Sequence, residues 1–304
     1  MQMSALLTKM LLFVVMIAIG WIGARKKIFT TEFCRGVSWV LLNVFLVATI
    51  VNSVISTDSV RTLGEIGRTL LMTSLVMVLL YLIPGIVVRV LPIGAEKAPR
   101  LELLMSIVNN MFVALPVAET FYGNEAVFIL AISSIPFNAL AFTYGLGRLR
   151  GGKGALSLKN IFNVPLVATL LATAVFMLKI PIPAPLRTLF SAVSGGTVPV
   201  SMLLVGATLG GVSFTRAVRE RSMYLLSFVR LLLVPAAVWL FLKPFGLDPA
   251  LNNTLIFMAA SPSAIIVTAF SVQSGYNGEY TSEGILFTTL LSIITLPITA
   301  YLIV

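Results

Sequence analysis

Two strings decide how this chain is read: NNMFVALP at residues 109–116 and AASPSAIIVTAF at residues 259–270, each setting a proline in the middle of a long apolar run. Proline removes a backbone donor and its ring clashes with the preceding turn, so helices containing Pro116 and Pro262 are expected to kink or break there. In hydrocarbon a freed carbonyl costs several kcal/mol unless protein or water meets it. Two such breaks in corresponding helices therefore point to backbone that lines a polar cavity at mid-membrane, which is where carriers built from repeats bind their cargo. A half-helix beginning at Pro116 or Pro262 would aim unpaired amides and its positive dipole end at that cavity, an arrangement suited to a carboxylate. Asn109, Asn110, Ser261 and Ser263 flank the prolines and add neutral donors and acceptors. The plainer reading is a pair of proline kinks whose Asn and Ser side chains bond neighbouring helices.

The membrane setting follows from composition. Of 304 residues 58% are hydrophobic and 11% charged, against about half and about a quarter in a soluble domain. Apolar runs long enough to span a bilayer recur from end to end, and bounded by charges, Pro/Gly clusters and cap residues they place ten helices near 4–24, 33–55, 69–91, 101–121, 125–147, 161–179, 186–211, 223–243, 252–274 and 281–303. The first run is followed, not preceded, by Arg25, Lys26 and Lys27, so it reads as a retained helix and not as a signal peptide.

Lys and Arg number 21 against 11 Asp and Glu, but they stand in short loops and form no basic face, which argues against nucleic acid as a partner. They report orientation instead. Loops after helices one, three, five and seven carry Arg25, Lys26 and Lys27; Arg89, Lys97 and Arg100; Arg148, Arg150, Lys153 and Lys159; and Arg216, Arg219 and Arg221. The N-terminal end and the alternate loops hold Lys9, Arg61, Arg68, Lys179, Arg187 and Lys243. By the positive-inside rule both termini are expected outside the cytoplasm. With no histidine and Cys34 as the lone cysteine, imidazole and thiolate metal sites and a catalytic His are absent by inventory, and no cofactor is expected.

The polar string RLRGGKGALSLKN at 148–160 divides the chain into five-helix halves, residues 1–147 and 161–304, with a cytoplasmic linker between them. Five is odd, so if the halves are repeats they lie in opposite orientations. Helix two opens VSWVLL and helix seven VSGGTV, with Asn43 or Pro199 six positions after the valine; Pro116 precedes FYGNE and Pro262 precedes GYNGE. Among the charges, Arg230 lies about eight residues into helix eight, where it could pair with an anionic substrate or, as the preferred expectation, snorkel back to the cytoplasmic interface. Glu119, one turn after Pro116, reads as an interfacial carboxylate, with a proton or cation site as the alternative. Gly206 and Gly210 have small-xxx-small spacing, for close packing within one subunit or, alternatively, a homodimer contact.

Taken in order, IGARKKIFT after the first helix, NNMFVALP in the fourth, NVPL opening the sixth, TVPVSMLLVGATL in the seventh and LLSIITLPIT in the last resemble the auxin efflux carrier family, which includes plant auxin exporters and bacterial malate permeases. The resemblance, to a bacterial inner-membrane member, spans nearly the whole chain. It implies two inverted five-helix repeats, helices four and nine crossing at their prolines, and a substrate carboxylate held at that crossover by Asn109, Pro116 and Pro262. Helices one, two, six and seven would form a scaffold, through which a homodimer is left open, and helices three to five and eight to ten a moving transport domain. Where family members carry glycines near the fourth-helix break this chain has Met111 and Ala114, and after the ninth-helix proline Ile265 and Ile266 replace a polar residue, which implies a greasier pocket.

The leading expectation is a secondary transporter of a small organic anion working by elevator-type alternating access. The alternatives are a sodium-coupled symporter of the bile-acid type, for which the uncharged SPSAIIVTAF of helix nine offers no clear motif, and a membrane sensor that binds without moving its ligand. An intramembrane enzyme lacks the usual acid–base residues. The coupling ion, proton or sodium, is left open.

Overall fold

The computed structural model describes residues 3–55, 63–151, 164–178, 180, 182–212 and 214–303. Among these every regular element is helical. Six stretches are long and apolar enough to cross a membrane: Thr31–Val54, Leu63–Val90, Asn110–Leu149, Ala184–Gly210, Arg221–Phe245 and Glu279–Ile303. Large apolar side chains such as Leu71, Leu82, Leu171, Leu240 and Ile298 stand exposed on these and neighbouring helices. A face of that kind has lipid as its solvent. The chain is a multi-pass membrane protein.

Local sequence explains the helix ends. Thr30 caps the Thr31–Val40 helix by accepting from the Phe33 amide, and Asp248 caps Pro249–Ala260 by accepting from Leu251 N, with Pro249 at the first helical position, where its missing N–H costs nothing. Gly246 takes the left-handed φ of 54° that ends the preceding segment. Gly123, at φ 54° and ψ −139°, turns the chain inside the long apolar run and separates the residues before it from those after it. Most of the 148–160 linker, together with Arg61 and Lys179 of the orientation argument, falls outside the described residues.

The chain divides into two compact units. One holds the described residues of Met1–Ile66, Met111–Ile132 and Phe162–Gly211. Its centre is a close crossing of the Met3–Arg25 and Thr197–Gly210 helices. A Cβ on Gly20 would stand 2.1 Å from the Leu203 carbonyl oxygen, and one on Gly206 would stand 1.9 Å from that of Ile17. A Cβ on Gly210 would meet Ala24 Cβ at 2.5 Å. Gly206 and Gly210 therefore serve packing within the chain, as small residues do where helix backbones touch. Nearby, the hydroxyls of Thr49 and Thr197 share a buried hydrogen bond of 2.6 Å.

The other unit holds Gly67–Asn110, Ser133–Ile161 and Val212–Val304. It contains the Leu63–Val90 helix from Gly67 on, the short Ala98–Ser106 helix, the Arg221–Phe228 and Val234–Leu242 helices joined by a π turn at Val229–Leu233, the interrupted pair Pro249–Ala260 and Ile266–Gln273, and Glu279–Ile303.

Candidate functional site

Two interruptions in this second unit meet each other. Pro262 disfavours the helical conformation for the residue before it, and Ser261 accordingly adopts φ −69°, ψ 150°, ending its helix at Ala260. The Ala98–Ser106 helix ends as Ile107 turns to φ −88°, ψ 111°. Val108 and Ser263 then pair as an isolated antiparallel bridge, with Asn109 N donating to Pro262 O at 2.8 Å and Ala264 N to Ile107 O at 2.9 Å. Broken backbone that would be costly in an apolar interior is satisfied by the other break.

Side chains lock the bridge. Ser263 Oγ donates to Leu104 O at 2.6 Å, and Ser263 N donates to Thr288 Oγ1 at 3.3 Å. Ser261 Oγ returns to Phe257 O at 2.9 Å. Asn109, Asn110, Ser261 and Ser263 are all buried. Asn110 differs from the serines: neither its Oδ1 nor its Nδ2 has a partner. A buried amide left open in this way keeps both a donor and an acceptor unsatisfied.

The family described as membrane transport protein matches residues 148–300, half of the chain. The chain belongs to the auxin efflux carrier family. An uncharacterized transporter of Methanothermobacter thermautotrophicus, strain Delta H, is 26% identical over 214 residues, covering 68% of each protein. In this family member the structure unites Asn109, Asn110, Ser261, Pro262 and Ser263, and it corrects two of the expectations placed on the sequence.

The first correction concerns the fourth-helix break, which lies at Ile107–Asn109 and not at Pro116. Pro116 stands near the start of the Leu115–Leu140 helix, directly after a π turn at Asn110–Ala114. A π turn spaces its hydrogen bonds one residue wider, which makes room for a ring that would otherwise press on the carbonyl four residues back. The second correction concerns Arg230. It does not snorkel: its side chain is wholly buried, on the π turn at Val229–Leu233, with Nη1 3.5 Å from Met105 O.

Asn43 and Glu119 belong to the first unit. Asn43 occupies the π turn Leu41–Phe45 and donates from Nδ2 to Trp39 O at 2.7 Å, so its polarity is spent within its own helix. Glu119 is half-buried on the Leu115–Leu140 helix.

Two features escaped the sequence. Thr288, on the last helix, receives the Ser263 amide; its only sequence signal is a hydroxyl within an apolar run. Glu102, fully buried on the same short helix that leads into the bridge, accepts from Arg148 Nε at 2.8 Å and from the Tyr144 hydroxyl. A carboxylate two residues after Arg100 in a greasy string was a visible signal. Arg100 itself bonds Glu96 at 2.8 Å and lies 5.0 Å from the ring centroids of Tyr276 and Tyr280. Lys97 pairs with Glu220 at 2.8 Å, and this bond holds the Glu220 carboxyl below its ordinary value of 4.5. Glu96, Arg100, Glu220 and Tyr280 line a polar cavity of about 500 Å³ together with Arg216, Arg219 and Glu283. Arg100–Glu96, Lys97–Glu220 and Arg216–Glu279 pair at its wall, so it reads as an electrostatic clasp.

Proposed function

We propose that this auxin efflux carrier family member is a secondary transporter that carries a small organic anion, a carboxylate, across the membrane by alternating access. The observation that carries this reading is the antiparallel pairing of two interrupted helices around buried Asn109 and an unpartnered Asn110. Discontinuous helices whose broken backbone is satisfied inside the protein form binding sites at mid-membrane. The Ile266–Gln273 helix starts beside the bridge without a side-chain cap; Val267 N and Thr268 N bond Ala264 O and Ile265 O, so what this end offers a carboxylate is the positive end of the helix dipole. On this reading the chain crosses the membrane ten times as two inverted five-helix repeats, in an inner membrane, with both termini outside and an elevator-like movement of the bridged helices carrying the anion. Cation-rich loops on one side of the apolar runs support the orientation.

The test is reconstitution of the purified protein in liposomes with uptake of a labelled panel of mono- and dicarboxylates, comparing wild type with Asn109→Ala and varying pH and sodium separately. Saturable uptake of one acid, weakened by the substitution, is expected. Specific binding without flux would replace the carrier with a membrane sensor.

A further inference from the structure

Arg230 is the largest wholly buried side chain among the described residues, and it has no carboxylate partner. Elsewhere among the described residues Lys97, Arg100, Arg148 and Arg216 each have a carboxylate partner. Its Nη1 lies 3.5 Å from the Met105 carbonyl, one residue past the Leu104 carbonyl that Ser263 binds. The guanidinium is thus set against the negative, carbonyl end of the short helix that leads into the bridge. A helix end offsets part of a cation's burial, but less than a full counter-charge does. The remaining nitrogens, Nε and Nη2, have no hydrogen-bond partner. These two donate from one edge of the guanidinium, side by side, in the fork geometry that matches the two oxygens of a carboxylate. The π turn that carries Arg230 is itself a costly local conformation of a kind concentrated at functional positions.

We infer that Arg230 is a tethered counter-ion for the transported anion: its Nε/Nη2 edge binds the substrate carboxylate, while its Nη1 occupies the helix carbonyl end and so makes a coupling sodium unnecessary. This rests on the carrier reading above. In carriers with broken helices, half-helix carbonyl ends are where coupling cations bind; here a covalently held cation takes such a carbonyl. Burial of Arg230 means that the anion enters only when the helices around it part, and its negative charge is then neutralised by the guanidinium of the protein itself.

The experiment uses the full chain in liposomes, with the acid found to be transported by wild type, in sodium and in choline buffers, alongside Arg230→Gln and Arg230→Lys. Uptake by wild type is expected to be equal in the two buffers. Arg230→Gln should weaken the half-saturating concentration by about tenfold or more, the value of one charge-assisted hydrogen bond. Arg230→Lys, which keeps the charge but loses the fork, should fall between them, and it decides the matter if the Gln variant does not fold. Wild-type uptake that requires sodium, or either variant saturating at the wild-type concentration, overturns the inference and leaves the carrier reading standing. No acid bound or moved by wild type overturns the carrier reading, and this inference with it.

Discussion

Alanine at Gly206 is expected to prise apart the Met3–Arg25 and Thr197–Gly210 helices. The added methyl would lie 1.9 Å from Ile17 O, 2.7 Å from Ile17 C and 3.0 Å from Ile17 Cα. All three are backbone atoms of a helix, so no side chain can rotate away, and the helices must separate by about 1.5–2.1 Å to reach ordinary contact distance. The separation also breaks the backbone-to-backbone approach at Gly20, whose own Cβ position is 2.1 Å from Leu203 O. Overpacking against rigid backbone belongs at the upper end of the usual range, about 3 kcal/mol, which corresponds to an apparent Tm lower by about 5–10 °C. The assay is intrinsic tryptophan fluorescence on a temperature ramp in one detergent, with Gly36→Ala as the internal contrast. Gly36 lies inside the Thr31–Val40 helix with nothing within 4 Å of its Cβ position, so alanine there should raise stability by about 0.5–1 kcal/mol. A Gly206→Ala protein within about 1 °C of wild type would refute the close crossing. Loss of a dimer with an unchanged monomer transition would show that Gly206 serves a contact between copies.

The bridge and the clasp give three more expectations. Ser263→Ala removes the 2.6 Å bond to Leu104 O and should cost about 1–3 kcal/mol because a buried carbonyl is left open; faster hydrogen–deuterium exchange in the peptide covering residues 104–112 reads it directly. Glu102→Gln leaves Arg148 without its buried carboxylate, and because Arg148 is one-third exposed the loss should be about 1–3 kcal/mol, below the cost of stranding a fully buried charge; it is measured by the same thermal ramp. Glu220 has a folded-state pKa depressed chiefly by its hydrogen bond from Lys97. The stability this contributes is therefore present above pH 4.5 and is lost as pH falls below it. Wild type should lose its small advantage over Lys97→Met, about 0–1 kcal/mol for a partly exposed pair, as pH falls from 4.5 through the lowered folded-state value; an advantage that does not diminish on acidification would contradict the pairing.

Much of the helical layout was legible because a bilayer leaves the chain little choice. An apolar run about twenty residues long that must satisfy its own backbone becomes a helix wherever it occurs, so 69–91 and 281–303 appear as Leu63–Val90 and Glu279–Ile303. The break at Ser261 was legible for an equally local reason, since Pro262 disfavours helix at the residue before it. The sequence also determined the chemistry on offer, with neither histidine nor a cysteine pair. The fourth-helix break was misplaced because no local rule creates it. Ile107–Asn109 carries no proline and is extended because Pro262 and Ala264, more than 150 residues away, take up its backbone groups. The fate of Arg230 was also undecidable from spacing, because the same side chain can reach outward along lipid or inward to a carbonyl. Only the packing of its helix against Ala98–Ser106 selects the inward path, just as only the tertiary structure brings Arg148 to Glu102. Helices follow from local solvent and local sterics, whereas a polar site within a membrane is made by groups distant in sequence that satisfy one another, and only folding brings those groups together.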